Sequence, residues 1–134
     1  MGVDNMMERT VYLEPQPGEI YPVLRLKQNT SSMRMKIQIA PRGVITDFIY
    51  KPCVIKATLP DGSAFFDTSS CDYENRRISM WLFASDLRKL TSQAGSYKCT
   101  VTIINAEGVI DRENYMDYDI LTVLPFTVIV EKRA

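Results

Sequence analysis

The chain contains no histidine. That removes the commonest general base, the usual partner of a nucleophilic serine or cysteine, and the commonest transition-metal ligand. No Gly-rich phosphate loop of the G-x-x-x-x-G-K-[ST] type is present. Most enzyme templates fail at that step, the protein is not expected to be an enzyme, and no cofactor or metal is expected. Charge of one sign is also missing, because sixteen basic side chains balance sixteen acidic ones. A chain without a broad positive field does not hold a polyanion by neutralising phosphates, so nucleic acid is not expected as a partner. The pairs Arg76-Arg77, Arg88-Lys89 and Lys132-Arg133 read as solvated surface. The first eight residues lack the basic start and apolar run of a secretory signal. The longest apolar stretch, Ile120 to Val130, is too short to cross a bilayer as a helix and is interrupted by Pro125, so no membrane partner is expected. Cysteine is scarce and odd in number: Cys53, Cys71 and Cys99 lack the close spacing of a zinc site and read as reduced thiols of a protein made in a cytoplasm.

What the chain does have is the composition of one globular domain, 134 residues with 46% apolar and 24% charged side chains. Residues 1–19 read as an N-terminal arm closed by the turn-rich linker Pro15-Gln16-Pro17-Gly18, with a short strand expected in 9–13. Residues 20–134 read as the folded domain. Met33 to Ile39 alternates strictly, apolar at odd positions and polar at even ones, which sorts onto two faces only in a strand. Cys53, Ile55, Ala57 and Leu59 form one face of the next strand. Pro60-Asp61-Gly62 then predicts a hairpin into Ala64-Phe65-Phe66. Further strands are expected at 77–82, 97–103, 109–110 and 122–130. Between two of them, Ser85-Asp86 offers a helix N-cap for a short segment carrying Leu87 and Leu90. Strands at close spacing with a single short helical crossover predict an all-β, antiparallel, two-layer sandwich.

Few residues stand out as candidates for contact. Tyr115 and Tyr118, with Tyr73, are candidate partner-contact anchors, because amphipathic aromatics are enriched at interface hot spots. Rim-of-core packing is the competing expectation. Trp81 falls on the polar phase of its strand, so it either faces outward toward a partner or sugar or is tucked under a loop. The acid-rich segment 111–119 has the oxygen content of some calcium loops but neither the glycine nor the terminal bidentate glutamate, and reads as a solvated connection. Cys53 and Cys99 lie on core-facing phases and are expected to be inert.

Gly95-Ser96-Tyr97-Lys98-Cys99 resembles the immunoglobulin strand-F pattern, in which a Tyr two residues before a Cys closes a corner by hydrogen bonding. Trp81 follows Cys53 by 28 positions, too far for an antibody-type domain with its disulfide. Residues from about 21 to 131 also resemble the N-terminal domain of phage baseplate upper proteins, from tailed phages and prophages of Gram-positive bacteria. The resemblance rests on the order and spacing of Leu26-Lys27-Gln28-Asn29-Thr30, Leu59-Pro60-Asp61-Gly62, Ala94-Gly95-Ser96-Tyr97 and Phe126-Thr127-Val128-Ile129-Val130.

That resemblance implies an immunoglobulin-like β-sandwich that docks into the phage tail tip and helps carry the host-recognition apparatus. The expected partners are other tail and baseplate proteins, with a homo-oligomer allowed. The expected location is the virion tail, after synthesis in the bacterial host cytoplasm. Many relatives continue beyond the position of Ala134 into a linker and a receptor-carrying module. The alternative function is a carbohydrate- or protein-binding module of a surface adhesin, and a small carboxylate enzyme ranks last. A neighbouring pair of perturbed acids in a deep pocket would revive the enzyme reading.

Overall fold

The computed structural model describes residues 7–30, 33–40, 50–107, 110 and 113–133. The strands are β1 (Met7–Leu13), β2 (Val23–Lys27), β3 (Met33–Ile39), β4 (Lys51–Thr58), β5 (Ala64–Glu74), β6 (Arg77–Leu82), β7 (Gly95–Ile104) and β8 (Ile120–Glu131). One helix, α1 (Ala84–Leu90), follows β6, and a 3-10 turn spans Tyr115–Asp117. The expectation of an all-β chain with one short helical crossover holds.

The sheet is continuous and mixed rather than two separate antiparallel layers, in the order β1-β3-β6-β5-β4-β7-β8-β2. The inner pairings are antiparallel, but β1 pairs with β3 and β2 pairs with β8 in parallel. Strand β5 joins the two halves: Ala64 to Cys71 pair with β4, and Cys71 to Glu74 pair with β6. Its polar run Asp67-Thr68-Ser69-Ser70 hid it from the period-two reading beyond Phe66.

Strands β1 and β2 lie at opposite edges of the sheet, yet only residues 14–22 connect them. That segment turns at Gln16–Glu19, where the Glu19 N–H donates to Gln16 O, and Leu13 of one edge strand shares a core cluster with Leu24 and Leu26 of the other. The sheet therefore curls. Its inner face then closes on one core, which draws Leu13 from β1, Leu24 and Leu26 from β2, Ile37 from β3, Phe126 and Val128 from β8, and Leu87 and Leu90 from α1.

Local chemistry accounts for the elements. In β3 the alternation works as read, with Met35, Ile37 and Ile39 in the core. The β4–β5 hairpin closes as predicted: Gly62 takes φ +89° and donates its N–H to Leu59 O at 2.8 Å. The strand expected in 9–13 is present as β1, and its Leu13 is fully buried. The Tyr97 hydroxyl donates to Leu90 O, so the strand-F-like pattern does tie the start of β7 back to the end of α1. Two local expectations fail. Ser85 is inside α1 and not its N-cap; the backbone N–H of Phe83, preceding the helix, is held instead by Asp86 Oδ2 at 3.1 Å. The strand expected at 109–110 is absent at Ile110, which is buried in irregular chain. Val109 lies outside the described residues.

Candidate interaction surfaces

With the inner face sealed, contacts fall to the outer face and its edges. Over β3, β6 and β5, Lys36 stands opposite Trp81, and Gln38 is opposite Ser79, which pairs in turn with Asp72. The Gln38 amide donates to Ser79 Oγ at 3.0 Å, both groups being buried. Trp81 is half-buried, with the Arg34 guanidinium 4.5 Å from its ring centroid. Arg34 also pairs with Glu8 of β1, so a cation–π contact and an ion pair fasten the first strand across its neighbour. Trp81 thus faces outward, as its strand phase indicated, and is covered by an arginine. It lines a shallow groove of roughly 290 Å³ with Lys36, Tyr50, Ser70, Asp72 and Ser79.

Over β4 and β7 the outer face carries its own small cluster. Val54, Ile104, Ala106 and Ile110 are buried there, with Phe66 and Tyr115 packed against them. This explains why β4 is buried without interruption from Pro52 to Ile55, against simple alternation. Tyr115 is anchored rather than free: its ring centroid lies 5.5 Å from that of Phe66, and its hydroxyl accepts from Lys56 Nζ at 3.1 Å. Tyr118 is exposed beyond the 3-10 turn, and Tyr73 packs from β5 against the main core. The structure does not bring Tyr73, Trp81, Tyr115 and Tyr118 into one site. Tyr115 and Tyr118 share a segment, Trp81 sits on the other half of the sheet, and Tyr73 turns inward.

Sequence reasoning missed three features. Exposed apolar side chains cluster from the 3-10 turn into β8: Met116, Tyr118, Ile120, Leu121 and Val123. In the sequence, 111–119 reads as a solvated connection with Tyr118 a contact candidate, and the apolar run Ile120 to Val130 reads as buried strand. A second groove, of roughly 450 Å³, lies between Lys56, Thr58, Phe66, Lys98 and Thr100. The third is a carboxyl pair. Asp67 lies on the inward phase of β5, opposite Ile55, and its carboxyl group neighbours that of Asp86 on α1. Burial first, and then the Asp67 carboxyl, push the Asp86 carboxyl up to about 6. No sequence signal pairs residues 67 and 86, because the docking of α1 on β5 creates the contact. Neither acid lines the grooves described above, so the pair reads as a helix anchor.

The thiols behave as expected. Cys53, Cys71 and Cys99 are buried and unbridged. A hydrogen bond with Cys71 and burial both raise the Cys53 thiol, and burial pushes that of Cys99 up to about 12. Thiols held protonated in this way are poor nucleophiles. Among the described residues, no group of three or more potential metal-ligating side chains assembles and no helix is long and apolar enough to cross a membrane. Asp111 and Arg112 of the acid-rich segment lie outside the described residues.

No protein-family model and no curated protein matches this chain. Among solved structures it is similar to the N-terminal domain of phage TP901-1 ORF48, with a TM-score of 0.57 and 16% sequence identity. The likeness covers 95% of this chain and 100% of that domain, so it is a likeness of whole folds. It agrees with the resemblance read from the ordered sequence motifs, and the chain has the fold of an N-terminal domain of a phage protein.

Proposed function

We propose that this protein is a non-catalytic structural component of a phage tail baseplate, which docks into the tail tip and supports the host-recognition components. The observation that carries the reading is the end-to-end likeness to a phage protein's N-terminal domain. The motif order that resembles baseplate upper proteins points the same way. The surface suits an assembly role, because apolar side chains remain exposed at one end of β8 and the curled sheet keeps two free edges. The partners are neighbouring tail proteins, and the site of action is the virion.

Mixing the protein with the tail protein encoded beside it, and measuring mass in solution, tests the assignment. A stable co-complex is expected. If the two proteins sediment independently at every concentration, the baseplate reading fails. The adhesin alternative has one observation in its favour, the groove in which Trp81 and Tyr50 stand beside Ser70 and Asp72. Aromatic rings beside polar groups suit a sugar, and saturable binding of a glycan by the isolated protein would put that reading first.

A further inference from the structure

The outer face over β4, β7 and β8 is divided into a covered part and an open part. Ala106, Ile110 and Tyr115 cover the first, with Tyr115 at the border. The open part is the groove between Lys56 and Lys98. Register places Lys56 opposite Thr100, two residues from Lys98 along β7, so the two lysines are diagonal neighbours on one face. The Lys56 ammonium donates to the Tyr115 hydroxyl, and that of Lys98 lies 4.4 Å from the Tyr21 ring centroid. Neither has a carboxylate partner among the described residues.

Past Tyr115 the chain rises as a ridge of opposite character. Met116 is 69% exposed, and Ile120, Leu121 and Val123 are each close to half exposed. Asp117 and Asp119 stand among them, exposed and without a cationic partner among the described residues. An acidic apolar ridge thus adjoins a groove with lysine flanks and a Phe66 wall, on one face of one chain.

We propose that ridge and groove form a two-fold interface between two copies of this chain, the ridge of each copy seated in the groove of the other. Charge complementarity selects the occupant: two exposed carboxylates meet two ammonium groups that have no carboxylate partner among the described residues, while apolar side chains leave water. Placement supports it as well. An isologous contact needs complementary patches side by side on one surface, and Tyr115 joins them here. The contact is made by side chains and not by strand addition. Thr127 donates its N–H to Pro22 O on the β2 side, so Pro125, two residues earlier, faces the same side and offers no N–H there. The register shift at Ile103/Ile104 bulges the ladder beside Leu121. Both features blunt an edge.

Sedimentation velocity on the full chain, from low micromolar to near-millimolar concentration and at low and high salt, tests the proposal. The wild type is expected to form a discrete dimer that weakens as salt rises. The double variants K56E/K98E and D117K/D119K are each expected to dimerise at least about tenfold more weakly. Mixed together they should re-form a dimer, which two merely misfolded chains would not do. Circular dichroism checks that each is folded. A monomer at every concentration, an open-ended series beyond the dimer, a dimer unaffected by both reversals, or variants that fail to re-pair would overturn the proposal. A wild-type monomer that retains a polyglutamate peptide through Lys56 and Lys98 also overturns it, assigning the groove to another acidic partner. None of these outcomes depends on the tail assignment, which is read from the co-complex.

Discussion

Single residues in this protein show how far burial can move chemistry away from its sequence meaning. Asp67 and Asp86 are ordinary polar letters in a strand and a helix, yet the fold buries Asp86 and sets the Asp67 carboxyl beside it, which raises the Asp86 carboxyl to about 6. An acid raised to about 6 when folded, from 3.8 when free, makes the native state bind more protons than the unfolded state between those values. Its stabilising contribution is therefore complete below about pH 4 and is lost as pH rises through about 6. After a discount for solvent screening, the expected loss is about 1–2 kcal/mol by pH 7. Chemical denaturation from pH 4 to 8 measures it. Asp67→Asn should flatten the dependence and raise stability at pH 7.5, because an amide donates to the Asp86 carboxylate without needing a proton. An unchanged pH profile in that variant would show that burial alone, without Asp67, raises the Asp86 carboxyl. Tyr97 was legible in the sequence where these acids were not, because its role is set by a local pattern, Tyr two residues before Cys99, and not by a contact between distant elements.

At the scale of elements, the terminal strand and the tight turns matter most. Strand β1 was read as part of an arm, since its alternation is short and Pro15 to Gly18 separates it from the rest. The structure makes it a sheet edge whose last residue enters the core. Leu13→Ala is accordingly expected to cost about 2–4 kcal/mol, the range for truncating a buried leucine. Thr10→Ala, at an exposed position of the same strand, should lie within about 0.5 kcal/mol of wild type. Urea denaturation of both compares them directly, and equal, small effects would mean that β1 does not belong to the folded unit. The β5–β6 connection passed unnoticed because its turn residues, Asn75-Arg76, read as polar and basic surface. Both take positive φ, at 53° and 63°, between the paired Glu74 and Arg77. That is a two-residue hairpin whose second position favours glycine. Arg76→Gly should raise stability by about 0.5–1 kcal/mol, read as a higher thermal midpoint. Where the turn carried its usual letters, at Asp61-Gly62, the sequence reading succeeded.

Across the whole molecule, strands far apart in the chain close on one core, and the three thiols report on it. Cys53, Cys71 and Cys99 come from β4, β5 and β7 and are at most 1% exposed. A thiol reagent is expected to label none of them in the native protein and all three after unfolding, with labelling under native conditions tracking global stability. Early labelling of any one would reveal a local opening of the sheet. The sequence alone determined that the chain is all-β, which strands alternate, where the Asp-Gly hairpin falls, that the cysteines pack as small hydrophobes, and that no histidine-based chemistry is available. Those properties are local, set by the period of apolar side chains and by the conformational demands of particular residues. Tertiary structure decided the rest: the parallel pairings at both edges, the curl that draws both edges onto one core, the placing of Asp67 beside Asp86, the covering of Trp81 by Arg34, and the lysine groove beside an acidic ridge. Each depends on which distant strands become neighbours. The free energy that selects them is the burial of one shared inner face, a sum over the whole chain that no local pattern encodes.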